Sequence, residues 1–124
     1  MDTISISNGE WKLMNLLWQK QPMTLQELTD TLWDETGWTK VAVNMMMIRL
    51  VRKGYVRLEE EGRVKKYYPL VERNDAVRQE AKNTLARIKT GSIGLLLNTM
   101  MQEEPLSDAE IDELYRILEE GRKK

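Results

Sequence analysis

The sequence predicts a mainly α protein with a small β-hairpin wing: a winged helix-turn-helix over residues 1–72, then a helical dimerisation segment over 73–124. Three observations predict it. The pattern S/T-x-x-E occurs at Ser7–Glu10, Thr24–Glu27 and Ser107–Glu110, each time ahead of apolar residues at helical spacing. The apolar period changes from helical to two after Gly54. After Pro69 the pattern returns to helix, in a stretch too short to bury its own apolar face.

In a capping box the hydroxyl accepts from an early helical N–H and the glutamate reaches back to the cap N–H. After Ser7 come Trp11, Met14, Leu17 and Trp18, and after Thr24 come Leu25, Leu28, Leu32 and Trp33. Trp11, Trp18 and Trp33 sit at helical spacing and are expected in the core. Pro22 keeps the first helix from running on, and Gly37-Trp38 breaks the second. A third helix is expected from about Thr39 to Lys53, stopping at the left-handed cap Gly54. Tyr55–Glu59 and Val64–Tyr67 alternate as strands, with Glu60-Glu61-Gly62-Arg63 as their link. Trp38 is expected in a short strand that completes this sheet.

In the second half, helices are expected from Asp75 to about Lys89, from Ile93 to Gln102, and after Ser107. Ala76, Val77, Ala81, Leu85 and Ile88 form the apolar side of the first, and Ile111, Leu114, Tyr115 and Leu118 that of the last. About fifty residues rarely sustain a core unaided. Two copies packing together would supply one, so Leu85, Ile88, Leu95, Leu96, Ile111, Leu114, Tyr115 and Leu118 are read as a homodimer interface.

Composition narrows the function. With 41% hydrophobic and 31% charged residues, the chain has a soluble globular balance. It contains no cysteine and no histidine, which excludes disulfides, thiolate or imidazole metal sites, and Cys or Ser-His nucleophiles. No paired-carboxylate signature or Gly-rich phosphate loop stands out, so no enzyme, metal or cofactor is expected. The longest nearly uncharged stretch, Thr90 to Gln102, is too short to cross a bilayer, and MDTISIS lacks the features of a secretory signal. The expected location is the cytoplasm, without membrane insertion. The net charge of -1 hides a polarity. Thr36–Lys66 carries eight basic and three acidic residues, whereas Met100–Lys124 carries four basic and eight acidic. A basic middle and an acidic end suggest that one segment meets a polyanion.

Taken together, Ser7-x-x-Glu10-Trp11-x-x-Met14-x-x-x-Trp18, Arg49-Leu50-Val51-Arg52-Lys53-Gly54-Tyr55, Glu61-Gly62-Arg63 with Tyr67-x-Pro69, and Leu106–Glu120 resemble the BlaI/MecI/CopY family of bacterial repressors. The resemblance covers nearly the whole chain. It implies a homodimer that represses transcription by holding a palindromic double-stranded DNA operator. Its copper-responsive branch carries a C-terminal cysteine cluster, which this chain lacks. Its β-lactam branch is relieved when a membrane sensor-protease leads to cleavage of an Asn-Phe bond in the dimerisation region. Here the corresponding stretch reads Leu97-Asn98-Thr99-Met100-Met101, the chain has no Phe, and Asn98-Thr99 is the nearest match by chemistry.

At about 100° per residue, Val43, Met46, Met47 and Leu50 of the third helix share a face that packs inward. The opposite face carries Val41, Met45, Ile48, Arg49 and Arg52. Arg49 and Arg52 suit phosphates, while Val41 and Met45 would point at the groove floor. The resemblance implies polar or basic residues near 41, 42 and 45, but Val41, Ala42 and Met45 stand there. These three make no bidentate bond to a base and can touch thymine methyls. Thr39, Lys40 and Asn44 are the remaining polar candidates. Arg63, Lys65 and Lys66 of the hairpin suit phosphate or minor-groove contact. Two alternatives stay open: a winged-helix protein-interaction module without sequence-specific DNA binding, and a small-molecule-responsive regulator of the same fold.

Overall fold

The computed structural model describes residues 3–88 and 92–124. The order of elements is α1 (Asn8–Gln19), β1 (Met23–Thr24), α2 (Leu25–Thr36), α3 (Lys40–Arg52), β2 (Val56–Glu61), β3 (Val64–Pro69), α4 (Arg73–Ile88), α5 (Ile93–Glu103) and α6 (Asp108–Arg122). All three capping boxes form. At α1, Ser7 Oγ accepts from the Glu10 N–H at 3.2 Å and Glu10 Oε1 accepts from the Ser7 N–H at 2.9 Å. The same exchange opens α2 between Thr24 and Glu27 and α6 between Ser107 and Glu110. Each box satisfies donors that a helix start otherwise leaves open.

Two units divide at Asn83/Thr84, within α4. In the first unit, α1, α2 and α3 enclose Leu13, Met14, Leu17, Leu28, Leu32, Val43, Met47 and Leu50. Val56, Tyr67 and Met23 add the sheet's inner face to this core. The sheet is antiparallel in the order β1-β3-β2, with Met23 opposite Tyr67 and Leu58 opposite Tyr67 on the other side. Ala76 in the early turns of α4 is buried, while most of that helix is exposed.

The expected inner face of α3 is confirmed: Val43, Met47 and Leu50 are fully buried and Met46 is half-buried against the core. Gly54 follows α3 with φ +81°, the left-handed stop that the sequence indicated. Other expectations are corrected. Trp33 is 55% exposed, not core. It lies at the edge of the α2 inner stripe, and Thr29 takes the buried position. Its hydroxyl donates to the Leu25 carbonyl at 2.8 Å, which makes the burial of a polar side chain tolerable. Trp11 and Trp18 are half-buried, with rings edge to face at 5.7 Å, and the Trp18 indole N–H donates to the Val71 carbonyl at 3.0 Å.

Trp38 forms no strand. It sits in the α2–α3 connection and packs near Gly9, where an added Cβ would stand 3.4 Å from the indole ring and 3.2 Å from Met46 Sδ. The third strand is β1, too short to show an alternation in sequence. The hairpin link is shorter than expected: Glu60 and Glu61 belong to β2, and Gly62-Arg63 alone make the turn, with Gly62 at φ +65°. Pairing Glu60 with Lys65 and Glu59 with Lys66 sets opposite charges across the ladder, which favours extending it.

In the second unit, neither α5 nor α6 buries a side chain fully. Helix α4 begins two residues earlier than expected, at Arg73, and is described to Ile88; Lys89, the expected end, lies outside the described residues. No helix among the described residues is long and apolar enough to cross a membrane.

Candidate nucleic-acid interface

Helix α3 begins at the N-cap Thr39, whose Oγ1 accepts from the Ala42 N–H at 3.2 Å. This fixes the first turn, the part of a recognition helix that enters a groove. Opposite the buried face runs an outward stripe of Val41, Met45 and Ile48, with 71%, 56% and 42% of their surface exposed, ending in Arg52. Lys40 and Arg49 are exposed on either side of it, Ala42 is half-buried beyond Arg49, and Asn44 is half-buried on the side of the hairpin.

Between α3 and the hairpin lies an open hollow of about 430 Å³. It is lined by the apolar Leu25, Val41, Ile48 and Leu58, by Tyr67, and by the polar Lys40, Asn44 and Lys65. Burial pushes the Tyr67 phenol above its ordinary value.

The far end of α3 is tied to the N-terminal segment. Lys53 Nζ donates to Glu10 Oε1 at 2.7 Å and to the Ser5 carbonyl at 3.1 Å. Glu10 is 1% exposed, and its Oε2 has no hydrogen-bond partner among the described residues. Burial pushes the Glu10 carboxyl up. The Lys53 and Ser7 hydrogen bonds and the Lys53 charge outweigh it, and the group ends below its ordinary value of 4.5. Lys53 therefore serves the fold, although it counted toward the basic middle of the sequence. No local signal joins it to Glu10, 43 residues away.

Arg57 and Lys65 are also engaged. Arg57 pairs with Glu59 and stacks over the Tyr68 ring, with its guanidinium carbon 4.4 Å from the centroid. Lys65 lies 3.7 Å from Glu60. Lys66 is on the opposite sheet face, across from Glu59 and Thr24. Thus the structure does not bring Lys65 and Lys66 together, as strict alternation along a strand requires. Among the described residues, Lys40, Arg49, Arg52 and Arg63 have no carboxylate within ion-pair distance. They ring the outward face of α3 and the hairpin tip.

The family model of the penicillinase repressors matches residues 6–120. This chain belongs to the penicillinase-repressor family. The family is one of DNA-binding transcriptional repressors, not of enzymes. The chain is 28% identical over 116 residues to the methicillin resistance regulatory protein MecI of Mammaliicoccus sciuri, covering 94% of each. It is 29% identical over 117 residues to the penicillinase repressor of Bacillus licheniformis, covering 94% of this chain and 91% of that one. In fold, the repressor is similar to the solution structure of the DNA-binding domain of BlaI (TM-score 0.54, 27% identity, 60% of this chain and 90% of that one). It is also similar to monomeric Bacillus licheniformis BlaI in complex with the blaP half-operator (TM-score 0.52, 27% identity, with the same coverage). These likenesses establish the winged helix expected from the order of elements.

The residues expected at a dimer interface are distributed over α4, α5 and α6. Leu85, Leu95, Tyr115 and Leu118 are exposed, and Ile88, Leu96, Ile111 and Leu114 are half-buried. Met100 and Ile117, absent from the sequence-based selection, are 57% exposed each. Together with Leu97, Met101, Leu106 and Leu114, they line an apolar groove of about 280 Å³ between α5 and α6. Asn98 and Thr99 are both exposed and both helical, within α5.

Proposed function

We propose that the repressor is a cytoplasmic homodimer that holds a palindromic double-stranded DNA operator. Helix α3 of each subunit lies in the major groove and the Gly62-Arg63 turn meets the backbone. Residues 1–72 bind DNA and 73–124 dimerise. The observation that carries this reading is the ring of cations, Lys40, Arg49, Arg52 and Arg63, that have no carboxylate partner among the described residues and surround an exposed helix face. Cations without protein partners are free to displace counterions from phosphates. BlaI, similar over 60% of this chain, was solved with a half-operator, which supports the same docking here. Dimerisation is supported by the exposed apolar residues of α4–α6, which one copy leaves uncovered.

Fluorescence anisotropy tests this reading, on duplexes tiled across the DNA upstream of the repressor's own gene at about 0.15 M salt. One palindromic tile should bind far more tightly than a scrambled duplex. Equal, weak binding of every tile would sink the operator reading. It would favour a protein-docking module, the second reading, which the apolar character of Val41, Met45 and Ile48 supports.

For relief of repression, the family resemblance suggests cleavage at Asn98-Thr99 through a membrane sensor-protease acting on the dimerisation segment, with a small-molecule inducer as the alternative route. The bond lies inside α5, so cutting requires that helix to unwind locally. Cleavage separates α6 from the rest of the chain and removes its part of the dimer surface. Intact protein after induction of the host's sensor, with repression relieved, would rule this route out.

A further inference from the structure

We infer that the repressor reads its half-site through thymine 5-methyl groups, with Val41 and Met45 as the specificity-determining residues and Ile48 extending their surface. This rests on the operator-binding reading above and names what that interface selects. Val41, Met45 and Ile48 form one continuous outward stripe, and all three are exposed. The polar side chains nearby are placed for other work. Thr39 Oγ1 is engaged with the Ala42 N–H as the helix cap. Asn44 is half-buried beside the hairpin, in the hollow that Val41 and Ile48 also line, whereas the stripe residues are exposed. The long cations Lys40, Arg49 and Arg52 flank or end the stripe, where the phosphate walls of a groove would stand.

What remains pointing outward at the start of α3 carries no hydrogen-bonding group. The major groove offers an apolar side chain one complementary feature, the thymine C5 methyl. An apolar protein partner would also suit Val41, Met45 and Ile48, but it would leave the surrounding cations without counter-charges. Duplex DNA satisfies both the apolar stripe and its charged border. The inference therefore commits to thymine-bearing duplex DNA.

The test uses the full-length repressor and the operator tile found above, with thymines of the half-site replaced one at a time by deoxyuridine. This removes a methyl and leaves base pairing and every hydrogen-bonding edge intact. Each contacted methyl should weaken binding about three- to fourfold when it is removed, the effect of losing one buried methylene-sized group. Val41→Ala and Met45→Ala should flatten the thymine-to-uracil difference at their own positions, while Met45→Leu keeps it. Both positions are exposed, so thermal melts should show each of the three variants folded like the parent. Equal affinity of thymine and uracil duplexes overturns the inference while leaving operator binding intact. So does a thymine preference that survives both alanine substitutions. If no tile exceeds the scrambled control, the operator reading itself fails.

Discussion

The Lys53 ammonium, at the end of the recognition helix, donates at 2.7 Å to the carboxylate of Glu10, which is buried in the first helix. Glu10 also closes the α1 capping box, so one side chain joins the start of α1 to the end of α3. Lys53→Met would leave a buried carboxylate with its burial unopposed by charge. Because Lys53 is itself about one-third exposed, the expected loss is about 2–3 kcal/mol, below that for a fully enclosed pair. Urea denaturation of the parent and the variant measures it.

The same pair gives the fold an acid limit. The Glu10 carboxyl titrates below 4.5 in the folded chain, so the unfolded chain binds the proton more readily. Its contribution to stability is present above the unfolded value and is lost as pH falls through the folded one. Melting temperatures across acidic to neutral pH should therefore decline below 4.5. In Lys53→Met the lysine no longer holds the carboxyl down against burial, so the part of the acid decline that Glu10 contributes should shrink or reverse. An unchanged acid profile in the variant would show that Lys53 does not hold the carboxylate ionised.

Arg63 and Lys66 should behave differently despite lying three residues apart. Arg63→Ala removes an unpaired cation at the hairpin tip. It should weaken binding to all duplexes and reduce the salt slope by about 1 per subunit. Lys66→Ala changes the sheet face opposite Lys65 and the hollow, and should leave the slope as it is. Titrations at several salt concentrations separate the two outcomes.

The C-terminal helix should control assembly. Leu118→Glu places a charge on an exposed apolar position of α6 and should yield monomers in sedimentation experiments. Operator affinity should then fall by about 10²–10⁴, because linked half-site binding is lost. Glu119→Ala, beside it, should remain dimeric.

Thr39→Ala removes the α3 N-cap bond and should cost about 1 kcal/mol, with Thr39→Ser keeping most of it. Because that turn presents Val41, operator affinity should fall along with stability. A loss of stability at unchanged affinity would place the first turn outside the interface.

Much of the fold was determined by the sequence itself, because its signals are local. A hydroxyl and a carboxylate three residues apart specify a helix start with no help from distant chain. A glycine marks the stop of α3, and the 3.6-residue period separates Val43, Met47 and Leu50 from Val41 and Met45. The order of helices and strands, and the motifs they carry, were enough to name the family. The candidate site was legible only in part. Which cations remain free depends on partners far along the chain, so Lys53 looked like Arg52 until Glu10 was placed beside it. Pairing of Met23 with Tyr67, exposure of Trp33 and seating of Trp38 on Gly9 were likewise decided only by tertiary structure. Hydrogen-bond caps and helical periods act within a turn or two. Ladder pairing, ion pairing and burial instead depend on which surfaces the folded chain brings together.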